Sequence, residues 1–314
     1  MKADVFDIYR GTTHDGPGLR TTIFFRGCPL QCSWCHNPEG IRAAPAVWWD
    51  ERKCIGCSSC VKCCPQGALA FTADGLELSE TVCIGCGACA KSCPSKALEQ
   101  ISHLYTVDEL MAEVMKGRAY FEQFGGGVTL SGGEALLQAD FAVQLLRRLK
   151  KENIHTAVDT CGQVPFAVFE KVLPFTDCVL YDLKIRDSQA HFECTGCHNE
   201  KILSNFTKLM EAIQRGTYHT DVWIRTPLIP GKTATEENIR QIAKLIKSHL
   251  GKEISRWELC AFNNACTKKY RKLGKSWAFE SVGHMTVSEV ESLKAAAIAE
   301  GLEEMYILVS GIMA

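Results

Sequence analysis

Residues 54–65 and 83–94 carry the same arrangement of cysteines, C-x2-C-x2-C-x3-C-P, with four thiols inside eleven residues. The two segments read CIGCSSCVKCCP and CIGCGACAKSCP. Thiolates this close together, separated by small residues, can converge on one metal cluster. Zinc sites usually combine two well-separated C-x2-C pairs, so a pair of zinc ribbons is the weaker alternative. The chain must therefore fold around two compact metal centres.

This repeat resembles bacterial two-cluster ferredoxins, in which the fourth cysteine of each run binds the other run's cluster. The resemblance implies two accessory [4Fe–4S] clusters. Their ligand sets are Cys54, Cys57, Cys60 and Cys93 for one cluster, and Cys83, Cys86, Cys89 and Cys64 for the other. Cys63 falls outside the pattern and is interpreted as a packing residue. We expect a ferredoxin-like insert at residues 50–102, with repeats at about 45–74 and 75–103.

The rest of the composition indicates a globular protein of the cytoplasm. The 314 residues are 46% hydrophobic and carry a net charge of −1, which gives no overall field for nucleic acid or an anionic membrane. No apolar run reaches the ~18 residues of a membrane span, and the N-terminus lacks a signal-peptide core. Eighteen cysteines in a reducing compartment favour metal binding over disulfides.

A third cysteine group, GCPLQCSWCHNP, places Cys28, Cys32 and Cys35 in C-x3-C-x2-C with no fourth cysteine. Taken alone, the run could be an incomplete zinc site with a distant fourth ligand. With an aromatic residue before its last cysteine, it resembles the radical S-adenosylmethionine (SAM) superfamily. That resemblance implies a third [4Fe–4S] cluster with one open iron, which the amino and carboxylate groups of SAM chelate. Reductive cleavage of SAM then yields a 5′-deoxyadenosyl radical.

Strand-like and helix-like segments alternate after the insert, which predicts a parallel α/β fold. The first helix is expected over residues 106–121, opened by a capping box of Thr106 and Glu109. No G-x-G-x-x-G follows the first strand, so a dinucleotide-binding fold is not favoured. We predict a partial (β/α)6-type, TIM-like barrel with the ferredoxin-like domain inserted. Residues 1–49 and 103–314 would form the barrel.

Unusual polar residues follow successive predicted strands. The cysteine loop follows the first strand, and later strands are followed by SGGE, Asp159, the DLK at 182–184, Arg225 and Asn263. The carboxyl ends of barrel strands meet on one face, where active sites are built. We therefore expect these residues to surround one site.

The segment HDGPGLRTTIFFRGCPLQCSWCHNP resembles the activating enzymes of glycyl radical enzymes, which combine D-G-P-G-x-R with G-C-x3-C-x2-C. GGGVTLSGGEALLQ, YDLK and ELCAFNNACTKKYRKLG fit the same family. The insert is shared by the subgroup that activates choline lyase, glycerol and hydroxyproline dehydratases, aryl-acetate decarboxylases, benzylsuccinate synthase and isethionate lyase. The resemblance implies a glycyl radical enzyme as protein substrate and a ferredoxin or flavodoxin as electron donor.

The same resemblance implies site residues, but no catalytic group beyond the SAM cluster. The implied cofactor-binding residues are Trp34, Cys35, His36, Gly132, Gly133, Glu134, Asp159, Thr160, Asp182, Leu183, Lys184, Arg225 and Asn263. The two glycines let backbone approach the SAM amino group and Glu134 accepts from it. Lys184 meets the SAM carboxylate.

Other roles follow from the same comparison. Trp34 and His36 would lie at the adenine, and Asn263 occupies the position where the pyruvate formate-lyase activase branch has a histidine near SAM. Arg225 would contact the ribose or the partner's peptide. A monovalent cation is the further expected ligand, and its candidate residues are Asp159, Asp182 and Thr160.

The six remaining cysteines are interpreted as buried packing residues: Cys161, Cys178, Cys194, Cys197, Cys260 and Cys266. Cys194-x2-Cys197-His198 is a faint metal-like spacing. Two other functions stay open, a ferredoxin-like electron carrier and a radical SAM enzyme acting on a small molecule or peptide. The sequence does not identify the partner enzyme.

Overall fold

The structure, a computed structural model, describes residues 1–41, 47–79, 81–249 and 254–314. The strands in these residues are β1 Ala3–Thr12, β2 Arg20–Phe25, β3 Val47–Trp49, β4 Leu69–Thr72, β5 Gly75–Leu78, β6 Leu98–Gln100, β7 His103–Tyr105, β8 Gly127–Gly132, β9 His155–Thr160, β10 Cys178–Asp182, β11 Asp221–Leu228, β12 Ile254–Ala261 and β13 Ile307–Ser310. The helices are α1 Ser59–Cys63, α2 Ala88–Ser92, α3 Val107–Met115, α4 Arg118–Phe124, α5 Ala139–Lys151, α6 Phe166–Val172, α7 Ser188–Thr195, α8 Glu200–Gln214, α9 Glu236–Ser248, α10 Thr267–Lys272 and α11 Val287–Ala299.

Nine of the described strands form one sheet in the order β13-β12-β11-β10-β9-β8-β2-β1-β7. β2 and β8 to β13 run parallel, each beside its chain neighbour within this set. β1 and β7 add antiparallel strands at one edge. The predicted α/β fold with a partial barrel is confirmed, and β13 extends the six parallel strands by one. Because these parallel strands are adjacent in chain order, their carboxyl ends all lie on the same side of the sheet.

Amphipathic helices cover the outer face of the sheet. In α5, Phe141, Leu145 and Leu149 recur every four residues and are all buried. This spacing lines one face of a helix, which packs against the sheet. Truncating Leu145 to Ala would cost about 2–5 kcal/mol, the range for a fully buried leucine. No helix in the described part of the chain has the length and apolar character to cross a membrane.

The single helix predicted over residues 106–121 is wrong, because the structure has two helices, α3 and α4. The capping box that opens α3 is confirmed: Glu109 N donates to Thr106 Oγ1 at 3.2 Å, and Thr106 N donates to Glu109 Oε2 at 2.7 Å. The break falls at Gly117, whose N–H bonds to Val114 O at 2.9 Å, a tighter turn than the α-helical one. A Cβ at Gly117 would lie 3.2 Å from the Thr21 hydroxyl of β2, so this turn lies close to the sheet.

The insert consists of two repeats with the same backbone conformation. β3 pairs with β6, and β4 with β5. Gly56 and Gly85 both have φ of 67°, and the residues that precede α1 and α2, Ser58 and Gly87, are both left-handed. Equivalent turns at equivalent positions are what a duplicated cluster-binding loop requires. The boundaries 50–102, 45–74 and 75–103 remain predictions, and residues 42–46 and 80 lie outside the described residues.

Candidate active site

The carboxyl ends of the parallel strands surround a cavity of about 400 Å³, a size typical of ligand pockets. Thirteen predicted residues line it: Cys28, Cys32, Trp34, Cys35, His36, Gly132, Gly133, Asp159, Thr160, Asp182, Lys184, Arg225 and Asn263. Glu134 and Leu183 do not line it. A larger cavity of about 780 Å³ lies between the insert and α10 and contains none of the predicted residues.

The loop that carries the three cysteines is held on one side by the end of α7. Ser33 N donates to Cys194 O at 3.0 Å, and the Cys197 thiol donates to Pro29 O at 3.2 Å. Cys194 and Cys197 therefore both support the cysteine loop, Cys194 through its backbone carbonyl and Cys197 through its thiol.

On its other side the same loop contacts the segment around α10. The Tyr270 hydroxyl donates to Cys35 O at 3.0 Å, and the indole N–H of Trp277 donates to Ser33 O at 3.0 Å. The two rings stack with centroids 5.1 Å apart. The Cys266 thiol lies 3.8 Å from Cys35 O, so it also supports the loop. Sequence reasoning missed these supports, although Tyr270 lies in the motif ELCAFNNACTKKYRKLG.

Burial dominates the electrostatics of two of the three thiols, those of Cys32 and Cys35. It raises the pKa of Cys35 to about 12 and that of Cys32 further above its usual range. Cys28 differs, because a hydrogen bond from the Cys161 side chain lowers its pKa. Protonated thiols must lose protons when a metal binds, so loading this site is coupled to proton release. Three thiols that line one cavity are the ligand set that a cluster with one open iron requires. Among the described residues, no group of three or more His, Cys, Asp or Glu side chains is placed to hold a metal ion.

Gly132 and Gly133 form a tight turn against the chain that leads into the cysteine loop. Gly133 N donates to Phe25 O at 2.8 Å, and Glu134 N donates to Gly27 O at 2.6 Å. A Cβ on Gly133 would lie 2.2 Å from Gly27 O, and Gly132 has φ of 113°. Both glycines are therefore required by backbone packing, in addition to lining the cavity.

Glu134 is fully buried beside the cavity. Its carboxylate accepts hydrogen bonds from Thr160 Oγ1 at 2.9 Å, from Cys161 N at 2.8 Å and from Leu136 N at 3.1 Å. Burial raises its pKa, and these hydrogen bonds oppose that effect. The carboxylate thus joins the turns after β8 and β9, while its contact with SAM stays a prediction.

Asp182 and Lys184 form an ion pair in the cavity wall, with the Lys184 side chain 11% exposed. Burial alone would lower the Lys184 pKa, but the neighbouring Asp182 carboxylate raises it above its usual range. Leu183, between them, points into the hydrophobic core, and its N–H donates to Arg225 O. The cation of Lys184 is therefore held at the cavity wall by Asp182.

Arg225 lies within β11, opposite Asp182 of β10, and is flanked by two more carboxylates. Its guanidinium is 3.5 Å from Asp159 and 3.3 Å from Glu258. Burial raises the pKa of Asp159 to about 7, although Arg225 opposes the shift. Glu258 was not predicted; its signal was a single acidic residue inside the apolar strand RWELCAF.

Aromatic residues form another part of the cavity lining. Trp34 is buried, and His36 lies edge-on to Phe262 with ring centroids 6.4 Å apart. Burial lowers the pKa of His36, while a hydrogen bond with the Asn263 backbone opposes the shift. A neutral imidazole among aromatic rings suits a flat, uncharged ligand group such as adenine.

The accessory cysteines are grouped as the sequence predicts. Two small cavities of the insert are lined by Cys54, Cys57, Cys60 and Cys93, and by Cys64, Cys83, Cys86 and Cys89. Ala68 N donates to Cys64 Sγ at 3.3 Å, and Ala97 N to Cys93 Sγ at 3.2 Å, at equivalent positions of the two repeats. This grouping fits the crossed ligand sets, whose assignment as cluster ligands remains a prediction.

Comparison with known proteins identifies the class. Residues 81–246, more than half the chain, match the model of the radical SAM superfamily, and residues 53–97 match the 4Fe-4S dicluster domain. The first match begins inside the insert, so the loop of Cys28 to Cys35 lies outside it. The chain belongs to the radical SAM superfamily.

The relatives define the branch. The choline trimethylamine-lyase activating enzyme of Oleidesulfovibrio alaskensis is 37% identical over 298 residues, covering 94% of each chain. The trans-4-hydroxy-L-proline dehydratase activating enzyme of Clostridioides difficile is 37% identical over 295 residues, covering 94% of this chain and 95% of that one. The 4-hydroxyphenylacetate decarboxylase activating enzyme of Clostridium scatologenes is 35% identical, covering 93% of each. Within the superfamily, this chain is a member of the activating enzymes of glycyl radical enzymes.

A solved structure has the same fold. The radical SAM methyltransferase of Sphaerobacter thermophilus aligns with a TM-score of 0.52, covering 98% of this chain and 73% of that one. At 14% identity, this likeness concerns the fold alone.

Proposed function

We propose that this activating enzyme binds SAM in the 400 Å³ cavity and generates a glycyl radical on a separate glycyl radical enzyme. The observation that carries the proposal is the convergence of Cys28, Cys32 and Cys35 with charged and aromatic residues from separate strand ends. When bound, the cluster supplies one electron to cleave SAM and produce the radical that abstracts the glycine hydrogen. The family supports a glycyl radical enzyme as partner, but the particular partner remains to be found.

The chain's own residues bind and orient SAM. Lys184 provides a fixed cation for the carboxylate, and the turn at Gly132 and Gly133 offers backbone groups to the amino group. Trp34 and His36 form an apolar wall for the adenine, which excludes water from the reacting bond. Asn263 and Arg225 border the same space.

A monovalent cation is proposed at Asp159, Asp182 and Thr160, which line the cavity together. Carboxylate and hydroxyl oxygens are hard ligands, which suits such a cation. Arg225 and Lys184 already neutralise part of this negative charge, so the cation would compete with them.

The insert is proposed to hold the two accessory clusters and to accept electrons from a ferredoxin or flavodoxin of the cytoplasm. Cys57 and Cys86 are both exposed, and the apolar residues beside them, Ile55 and Ile84, are 66% and 64% exposed. An exposed apolar surface beside a redox centre suits brief docking of a donor protein.

The test is a Cys35→Ala variant, reconstituted with iron and sulfide under anaerobic conditions and reduced with dithionite. We expect release of 5′-deoxyadenosine from SAM to be lost, while iron at the insert is retained. Cys178→Ala, which removes a buried thiol at the far end of β10, serves as the matched control. Release by Cys35→Ala at the wild-type rate would contradict the proposal. No SAM cleavage by the wild-type protein would favour the electron-carrier alternative.

A further inference from the structure

The open cavity of about 780 Å³ between the insert and α10, which we call the insert groove, has one apolar wall and one cationic wall. Six insert side chains form the apolar wall: Val47, Trp49, Leu69, Leu76, Leu78 and Leu98. Three of them, Trp49, Leu76 and Leu78, are partly exposed. The groove shares no lining residue with the SAM cavity. An open apolar surface of this kind commonly marks an interaction site.

The apolar wall separates the groove from both cysteine cavities of the insert. Trp49, Leu76 and Leu98 line both the groove and the cavity of the Cys54 group. The other three residues of the wall line both the groove and the cavity of the Cys64 group. A molecule in the groove would therefore lie one layer of side chains from either predicted accessory cluster, which is the short separation that electron transfer between proteins requires.

The opposite wall is α10, and its two faces have different neighbours. Lys268, Arg271 and Lys272, spaced i, i+3 and i+4, lie on the groove side. On the other face, the Tyr270 hydroxyl donates to Cys35 O at 3.0 Å. The groove is therefore bounded by the insert on one side and, through α10, by the cysteine loop of the SAM cavity on the other.

The groove lining has an excess of positive charge. Among the described residues that line it, four are cations and two are carboxylates. One of the carboxylates, Asp50, is bound to Arg52 at 3.0 Å. Lys268 is exposed, and no carboxylate in the described part of the chain forms an ion pair with it. A groove with an apolar wall and a cationic rim is complementary to an acidic surface that carries an apolar projection.

We infer that the insert groove is the docking site of an acidic donor protein of the flavodoxin type. The apolar edge of its flavin would lie against Trp49, and its carboxylates would lie near Lys268 and Arg271. This inference rests on the proposed function, which takes the insert as the entry point for electrons. In the transfer, the flavin hydroquinone of the donor is oxidised by one electron to its semiquinone, and the insert is reduced by that electron.

The groove fits this occupant better than the other partners of the enzyme. A ferredoxin encloses its cluster within its own cysteine loops, so it presents no apolar group that would enter a groove. The glycyl radical enzyme must bring its glycine to the SAM cavity, which is lined by different residues.

The experiment reverses two charges of the groove rim in the full-length reconstituted protein, Lys268→Glu with Arg271→Glu. The matched control is Lys201→Glu with Arg215→Glu, at the two ends of α8. All four residues are exposed, and Arg215 pairs with a carboxylate as Arg271 does. Calorimetry measures the binding of oxidised flavodoxin at low and high salt. The groove pair should weaken low-salt binding by about tenfold or more, and the control pair should bind like wild type.

SAM cleavage supplies the second measurement. Cleavage with reduced flavodoxin should fall in the groove pair, while cleavage with dithionite should stay at the wild-type rate, because dithionite needs no docking site. If charge reversal lowers the iron content, Lys268→Gln with Arg271→Gln provides the same comparison. A third variant, Ile55→Ser with Ile84→Ser, tests the other exposed apolar surface of the insert, since neither residue lines the groove.

The outcomes separate this inference from the proposed function. Equal flavodoxin affinity in the groove pair and the α8 pair would overturn the inference. A loss of affinity confined to the Ile55→Ser, Ile84→Ser variant would also overturn it, because the donor would then dock at the cluster turns. A wild-type protein that cleaves SAM with dithionite but does not bind flavodoxin would overturn the inference alone. Absence of SAM cleavage with either reductant would instead refute the proposed function.

Discussion

Changing Lys184 to Met should weaken SAM binding by removing the fixed cation of the cavity wall. The side chain is 11% exposed and paired with Asp182, so a bound carboxylate would meet a charge that is already largely desolvated. A hydrogen bond to a charged group contributes about 1.5–3 kcal/mol. At ~1.4 kcal/mol per tenfold change, SAM affinity should fall about 10- to 150-fold. Equilibrium binding of SAM to the reconstituted, oxidised protein, in which SAM is not cleaved, measures this directly.

The change has a second effect that the assay must separate. Without Lys184, Asp182 loses its ion-pair partner and faces the cavity with its charge unbalanced. This carboxylate would repel the SAM carboxylate, so the single variant alone would not distinguish a direct contact from a neutralising role.

The Asp182→Asn variant and the double variant Asp182→Asn with Lys184→Met complete a thermodynamic cycle. If Lys184 contacts SAM, the double variant should remain at least tenfold weaker than Asp182→Asn. If Lys184 only neutralises Asp182, the double variant should recover wild-type affinity, and that recovery would refute the direct contact. Iron content and circular dichroism must match wild type in each variant.

Three further predictions follow from the same structure. Cys57 and Cys86 occupy equivalent positions of the insert, and changing either to Ala should leave SAM cleavage with dithionite intact, because dithionite reaches the SAM cluster directly. Each variant should lose cleavage with a reduced flavodoxin, and undiminished turnover with flavodoxin in both would exclude electron transfer through the insert. Gly133→Val should abolish soluble expression, because its side chain would enter backbone space; a folded variant by circular dichroism would contradict this. Arg225→Met should lower the free energy of unfolding by about 3–5 kcal/mol in chemical denaturation, because the Asp159 and Glu258 carboxylates lose their cation. Adding Glu258→Gln should restore part of this loss, because it removes one of the two unpaired charges.

The position of the site was predictable because it depends on a rule of topology. Parallel strands that neighbour one another in chain order place their carboxyl ends on one face, so residues 159, 182 and 263 meet without further information. The accessory cysteines were predictable for a more local reason. The spacing and the repeat indicate two cysteine groups, and the resemblance to two-cluster ferredoxins supplies the exchange of the fourth cysteine between them, which matches the lining of the insert's two cavities.

What sequence reasoning missed depends on contacts between distant segments. The break between α3 and α4 falls at Gly117, whose low helix propensity was a local signal that the prediction of one helix overlooked, and the contact of this turn with β2 is the part that only the fold shows. Glu258 becomes a partner of Arg225 only through the pairing of β11 with β12, where the two residues are in register. The same is true of Cys161, whose neighbour Cys28 is remote in sequence. Propensity and spacing carry no information about such pairs.

The motif ELCAFNNACTKKYRKLG has two physical roles, and they are carried by different residues. Asn263 faces the cavity, where a ligand would meet it. Tyr270 and Cys266 instead bond to the carbonyl of Cys35, and Lys269 bonds to Asn37 Oδ1 at 2.8 Å. If the cysteine loop holds the proposed SAM cluster, residues that fix the carbonyls of this loop would orient its open iron without touching SAM themselves. A match to this motif therefore does not by itself separate a SAM contact from a support of the loop.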